Sequence, residues 1–220
     1  YKYNKKKLIL HRSSMKSYFF YLKKLGFDII YIEFRDSINI KLNYYMFDPV
    51  DKLDFNFNVT FIETPNFLLT KNEYSKYREK TQHFIFNNFY MWSKKELQII
   101  PDIKSQDKKN RKKIPNSLDI PLTESLNNTN EIIFIKEAQI YVNKYFPDNP
   151  GSCDNFIFPI THYTCKKWLN KWIKIKFKLF GTYQDSIDVS KSYLFHSVLS
   201  SSINIGLINP IEIINEIKKY

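Results

Sequence analysis

The sequence predicts an α/β chain, in which a parallel-sheet domain whose first strand would lie before Tyr1 is followed by the beginning of an all-helical domain. Three observations predict it. An early helical repeat runs into a glycine and then an apolar strand-like stretch. A basic, proline-containing segment sits near the middle, and helical periodicity holds from there to the end.

From Lys5 to Leu25 apolar residues recur at Leu8, Met15, Tyr18, Phe19, Leu22 and Leu25, which predicts an amphipathic helix closed by Gly26. Phe27 to Phe34 then reads as a short, mostly buried strand. Helix, glycine and strand make half of a βαβ unit, hence the parallel sheet. A second strand is expected over Asn58 to Glu63, and Thr70 with Glu73 forms a capping box that opens a helix toward Lys80. These elements give an α/β domain over residues 1–100.

Between Ile103 and Leu122 the cations Lys104, Lys108, Lys109, Arg111, Lys112 and Lys113 cluster around Asp107, and prolines at 101, 115 and 121 prevent a continuous helix. Residues 101–127 therefore read as a basic interdomain linker. Lys108, Lys109, Arg111, Lys112 and Lys113 are candidate DNA contacts; a solvated charge run is the other reading.

Residues 128–220 read as the start of the helical domain. One helix is expected from Asn130 to Phe146, ended by the turn at Pro147 to Gly151. Thr161 caps a second, which runs to Phe180 and stops at Gly181. On that helix Cys165, Trp168, Trp172, Ile175 and Leu179 share an apolar face, and Lys167, Lys171, Lys174 and Lys178 line a solvent face. The i, i+4 spacing of the tryptophans reads as core packing rather than an electron path.

Bulk properties limit the function classes. The 220 residues include 43% hydrophobic and 17% aromatic side chains, enough to bury a core. A formal net charge of +12 favours a polyanionic partner, although abundant Lys, Asn, Ile and Tyr together also arise from an AT-rich genome. Cys153 and Cys165 form neither a disulfide framework nor a zinc motif, and His11, His83, His162 and His196 are scattered, so no metal site is expected. With no run near 20 apolar residues and no signal-peptide pattern, no membrane partner is expected and a cytoplasmic location is. The chain opens in helical periodicity and closes while still amphipathic, as a piece of a longer protein would.

Paired carboxylates, HExxH, GxSxG and the Walker lysine loop are absent, and glycines at 26, 151, 181 and 206 cannot form GxGxxG. One segment gathers hydroxyls instead: Tyr193 to Ser202 leads into Ile203, Ile205, Leu207 and Pro210. Serines at a helix start suit a pyrophosphate, or are simply caps.

Phe180-Gly181-Thr182-Tyr183-Gln184-Asp185, Leu194-Phe195-His196-Ser197-Val198-Leu199-Ser200 and Asn204-Ile205-Gly206-Leu207-Ile208-Asn209-Pro210 resemble the FGxYQDxM and LFHSxLSxxLNxGLLxP signatures of photolyase-related proteins, which include bacterial iron-sulfur photolyases and cryptochromes. Lys6 to Phe27 resembles that family's first helix. Asn110-Arg111-Lys112-Lys113-Ile114-Pro115 resembles its NRKxLP linker, and Phe158-Pro159-Ile160-Thr161 the opening of its helical domain. The resemblance covers nearly the whole chain in order.

It implies a Rossmann-like antenna domain, which in relatives can hold a ribityllumazine, joined to a helical FAD-binding domain. It also implies that His196, Ser197, Leu199 and Ser200 lie along the flavin's phosphate and ribityl region, with Tyr183 a further candidate. In such proteins light excites the reduced flavin, which donates an electron to a lesion in UV-damaged DNA, and the protein is expected to be a monomer. Repair and cryptochrome photoreception are both implied; a non-catalytic basic nucleic-acid-binding module and a decayed photolyase relic are the alternatives. The sequence also departs from the pattern. The glycine-aspartate-glutamine strand would precede Tyr1, the tryptophan stretch before the linker is replaced by Ile100 to Gln106, and Val198 stands where arginine is common. The cluster cysteines would follow Tyr220, and neither Cys153 nor Cys165 matches them, so iron-sulfur ligands are expected to be absent from this segment.

Overall fold

The structure, a computed structural model, describes residues 2–37, 44–47, 58–100 and 106–220. It divides into two compact units, one of Tyr1–Ser37 with Arg111–Ile208 and the other of Ile38–Asn110 with Asn209–Tyr220.

In the first unit, α1 (Lys5–Lys24) begins at Asn4, whose side chain accepts the Lys6 N–H at 2.9 Å. It ends at Gly26, where φ is +86°. The Gly26 and Phe27 N–H groups return to the carbonyls of Lys23 and Leu22, a Schellman closure that needs the left-handed residue at Gly26. The turn after α4 holds the other end of α1: the Lys5 N–H donates to the Pro150 carbonyl at 2.8 Å and the Asn149 amide to the Tyr3 carbonyl at 2.8 Å. Gly151, at φ +87°, lies so close to this cap that a Cβ would sit 2.5 Å from Asn4 Nδ2.

The expected apolar face of α1 is not the one that is buried. Met15, Tyr18 and Leu25 are exposed, whereas Ile9, Leu10 and the small Ser13 and Ser14 face inward. The serines let α1 lie close against α4 (Thr129–Tyr145), and Ser13 satisfies its hydroxyl locally by donating to the Ile9 carbonyl at 2.6 Å. Ile9 and Leu10 join Ile135, Ala138, Val142, Cys153, Phe156 and Ile160 in one core cluster.

Phe27 to Phe34 also departs from expectation. It alternates in burial, but carries no regular structure and joins no ladder among the described residues. Its inner side packs on the helix: Tyr31 meets Phe19 edge-on at 5.8 Å, and the Glu33 carboxylate accepts from Arg12 and Lys16, each at 2.7 Å. Two-fold alternation here marks one face on a helix rather than a place in a sheet.

Asn128 and Glu131 form a reciprocal capping box at the start of α4. The buried Glu131 carboxylate also accepts from the Thr161 and Thr164 hydroxyls, tying α4 to the start of α5 (His162–Trp172). Thr161 caps α5 as expected, accepting the Thr164 N–H at 3.1 Å. The helix continues through a π-turn, Ile173–Phe177, into α6 (Lys178–Phe180) and so reaches Gly181.

In the second unit, β1 (Tyr44–Phe47) and β2 (Val59–Ile62) pair in parallel with Tyr44 opposite Val59. The parallel arrangement is thus present, as a two-stranded pair among the described residues. α2 (Lys71–Glu79) opens on the Thr70–Glu73 capping box, and α3 (Phe86–Leu97) packs Phe89 and Trp92 against the buried Tyr77, at 5.3 and 4.7 Å between ring centres. A single 3-10 turn, Asp107–Lys109, and α8 (Pro210–Lys218) complete the unit. Residues 101–105, the first part of the expected linker with Lys104, lie outside the described residues.

Candidate functional site

The π-turn decides what the second half of the α5–α6 helix presents. An α-helical phase would place Ile175 with Trp168 and Trp172; the wider turn instead exposes Ile175 and carries Lys176 inward to 4% exposure. Its ammonium donates to Thr123 Oγ1 at 2.6 Å and to the Leu194 carbonyl at 2.8 Å. No carboxylate pairs with it among the described residues. Burial, then the nearby Lys171 cation, pushes its pKa below that of an ordinary lysine. Lys176 follows Trp172 at i+4, beside the apolar face and away from the Lys167, Lys171, Lys174 and Lys178 stripe, but a lysine at such a position ordinarily reaches out to water, and nothing in the sequence marked it as buried. Five residues without a helix breaker carry no signal of a π-turn.

Lys176 borders a cleft of about 20 Å³, room for one water, lined also by Leu122, Thr123, Glu124, Trp168, Lys171, Trp172, His196 and Ser197. The two tryptophans are buried and form its back wall. Each indole N–H holds the facing loop, Trp168 donating to the Ser197 carbonyl at 2.7 Å and Trp172 to that of Phe195 at 2.8 Å. The loop is strained. Leu194 and Val198 have φ of +39° and +57°, a region costly for a β-branched residue, and the anchored carbonyls hold it there.

Of the five residues expected at a flavin, two meet at this cleft. His196 and Ser197 reach it, and His196 also meets Phe180 edge-on at 5.6 Å. Tyr183 stacks on Phe195 at 5.5 Å. Leu199 is buried in the interior, and the exposed Ser200 begins α7 (Ser200–Asn204), which is only five residues long. Behind it, the buried hydroxyl oxygens of Ser201 and Ser202 have no partner among the described residues.

The basic segment is divided between the units. Lys108 and Lys109 sit on the 3-10 turn of the second unit; Arg111, Lys112 and Lys113 belong to the first, and all five are exposed. In the first unit the segment is fastened to the loop after Gly181. The Lys112 N–H donates to the Thr182 carbonyl at 3.3 Å, the Ser186 hydroxyl donates to the Lys112 carbonyl at 2.7 Å, and Arg111 lies 3.4 Å from Asp185. The structure thus joins two sequence signatures some 70 residues apart.

Comparison with known proteins covers the basic segment of this pair. The profile of the deoxyribodipyrimidine photo-lyase-related protein family matches residues 46–158, just over half of the 220. The chain belongs to that family. It is similar to an uncharacterized protein of Acanthamoeba polyphaga mimivirus, with 29% identity over 53% of this chain and 76% of the viral protein. It is also 35% identical, over 36% of its length, to a (6-4) photolyase of Agrobacterium fabrum, of which it spans 15%. The family match ends before the Lys176 cleft's facing loop, so the photolyase-related assignment and the geometry of that loop are independent observations.

The residues present fit part of a flavin dinucleotide. A buried ammonium with no carboxylate partner among the described residues, a second lysine 4.0 Å from Glu124, an imidazole and hydroxyls suit phosphates at the mouth of the cleft, whose own volume holds only a water. The cleft does not enclose a ring system, so any flavin ring would lie outside it. Among the described residues no cluster of His, Cys, Asp or Glu fits a metal ion, and no described helix is long and apolar enough to cross a membrane.

Proposed function

We propose that this photolyase-related chain is part of a flavoprotein that acts on UV-damaged DNA. The observation that carries the reading is Lys176: a cation held away from water, with no carboxylate paired to it among the described residues, in a cleft shared with His196, Ser197 and the Lys171–Glu124 pair. Such a group is stabilised by an anion, and the pyrophosphate of FAD is an anion of suitable reach. Lys176, Lys171, His196, Ser197 and Ser200 would hold the phosphates and ribityl chain. Tyr183 and Leu199 would support them by packing. The chemistry available once flavin is bound is light-driven electron donation to a DNA photoproduct, or the same excitation read out as a cryptochrome signal.

In this reading residues 1–100 supply a Rossmann-like antenna-type portion, which the parallel β1–β2 pair supports, 101–127 the linker, and 128–220 the start of the flavin-binding portion. Lys108, Lys109, Lys112 and Lys113 would meet DNA phosphates, with Arg111 shared between phosphate and Asp185. The exposure of these cations equally supports a colourless nucleic-acid-binding module as the second reading.

Equilibrium dialysis of the chain against FAD, with visible absorption of the retained protein, tests the proposal. Retention that falls at least tenfold in Lys176→Met, with circular dichroism unchanged, supports it. A folded chain that retains no more FAD than Lys176→Met overturns it, and salt-sensitive DNA binding by that colourless protein would establish the second reading.

A further inference from the structure

A second cleft lies at the opposite end of α5 from Lys176, between the C-terminal half of α1 and the N-termini of α4 and α5, with a volume of about 420 Å³. That size falls in the range of small-ligand sites, roughly 300–1,000 Å³. Its walls are rings. Tyr18 and Tyr21, one turn apart on α1, stack at 6.1 Å and 24°, and Tyr18 meets His162 edge-on at 5.9 Å. Tyr163 and Phe134 complete the apolar surface. Tyr18, Tyr21 and Tyr163 remain 47%, 54% and 67% exposed, a high value for three aromatic residues facing one cavity.

The polar lining is neutral in its action. Glu131 has its carboxylate occupied by Thr161, Thr164 and the Asn128 N–H. His162 Nδ1 lies 2.9 Å from the Leu207 carbonyl, which can only accept, so Nδ1 carries the proton and the other ring nitrogen is left as an acceptor. The Asn130 side-chain amide, at the rim of the cavity, makes no hydrogen bond among the described residues and offers both a donor and an acceptor. No lysine or arginine lines the cavity itself, and the Lys167 ammonium sits 5.5 Å over the ring of Tyr163 at its edge.

We propose that this cleft binds a neutral planar heteroaromatic base of purine type, its faces against Tyr18 and Tyr163 and its edge toward the Asn130 amide. Stacking on aromatic rings supplies affinity with little regard to ring identity, and an amide reads paired donor and acceptor positions on a purine edge. The absence of lining cations disfavours a phosphorylated ligand. Nothing in the assignment depends on flavin binding at Lys176.

The test is calorimetric titration of the chain with adenosine, with ribose as the control that lacks the ring. Saturable adenosine binding is expected, weakened about tenfold or more by Tyr18→Ala or Tyr163→Ala and less by Asn130→Ala. Lys176→Met and Ile140→Ala, the latter on an exposed face of α4, should leave it unchanged. Because both tyrosines are largely exposed, their replacement leaves the core intact, which circular dichroism checks. No heat with adenosine up to millimolar concentration overturns the proposal, as does binding that survives both tyrosine replacements or is lost in Lys176→Met.

Discussion

Gly151→Ala is expected to destabilise the first unit by a mechanism that a double-mutant cycle can isolate. The new Cβ would stand 2.5 Å from Asn4 Nδ2 and 2.9 Å from Asn4 Cγ, at a backbone φ of +87°. Holding an L-residue in the left-handed region costs about 1–2 kcal/mol. Asn4 must then swing away and release the Lys6 N–H it accepts, a loss of about 1 kcal/mol. The two terms give about 2–3 kcal/mol for Gly151→Ala and ~1 kcal/mol for Asn4→Ala. With Asn4 already truncated only the backbone strain of the substituted glycine position remains to be added, so the double variant should match Gly151→Ala rather than the sum of the singles. The expected coupling is therefore about 1 kcal/mol, read from urea denaturation midpoints at constant slope. Strict additivity, or a Gly151→Ala chain within about 0.5 kcal/mol of wild type, would refute the assignment of Gly151 to the cap of α1.

Three further outcomes are expected. Arg12 first and then Lys16 hold the Glu33 carboxyl down to about 2, so its contribution is complete above the ordinary glutamate range and fades as pH falls through that range toward 2; since the side chain is 38% exposed, Glu33→Gln should cost only about 1 kcal/mol at pH 7 and progressively less in acid, and a pH-independent difference in urea midpoints would contradict this. Trp172→Phe leaves the Phe195 carbonyl without its donor, a loss of about 1–3 kcal/mol that should also speed amide exchange across residues 194–199; unchanged exchange there would show that the indole does not restrain the loop. Replacing Lys108, Lys109 and Lys113 by Gln should lower the slope of log affinity for duplex DNA against log salt by about 0.9 for each phosphate no longer neutralised, whereas an identical slope would mean that these cations only face water.

Local chemistry in this chain was legible where a signal involves neighbours in sequence. Thr70 with Glu73 and Thr161 with the Thr164 N–H form the expected caps, and Gly26 closes α1 as a left-handed terminator should. The misreadings arose where tertiary partners decide. Periodicity could not say which face of α1 is inside, because Ser13 and Ser14 are buried by their smallness and by α4, not by their polarity. Alternation from Phe27 to Phe34 is real, but its partner is a helix. At the candidate site, His196 and Ser197 were legible through the resemblance of their segment to photolyase-related signatures, and they do meet in one cleft. Lys176 was not, because its burial depends on a backbone phase that no residue type announces. The meeting of Arg111 and Lys112 with Thr182, Asp185 and Ser186 was equally hidden, since both stretches were visible but nothing local connects them.

The π-turn at Ile173–Phe177 acts as a built-in rotation between two docking jobs on one rod. Upstream of it the helix is keyed to the indole-anchored loop; downstream it delivers Gly181 to the basic segment at Arg111 and Lys112. Winding the same residues as a regular α-helix would swing everything beyond them by about one residue's rotation, about 100°. The two jobs could then no longer be done together, because a helix seated by Trp168 and Trp172 would carry Thr182, Asp185 and Ser186 to the wrong side. A chain that keeps this turn can change side chains on either half independently, but it has little freedom to gain or lose length between Trp172 and Gly181.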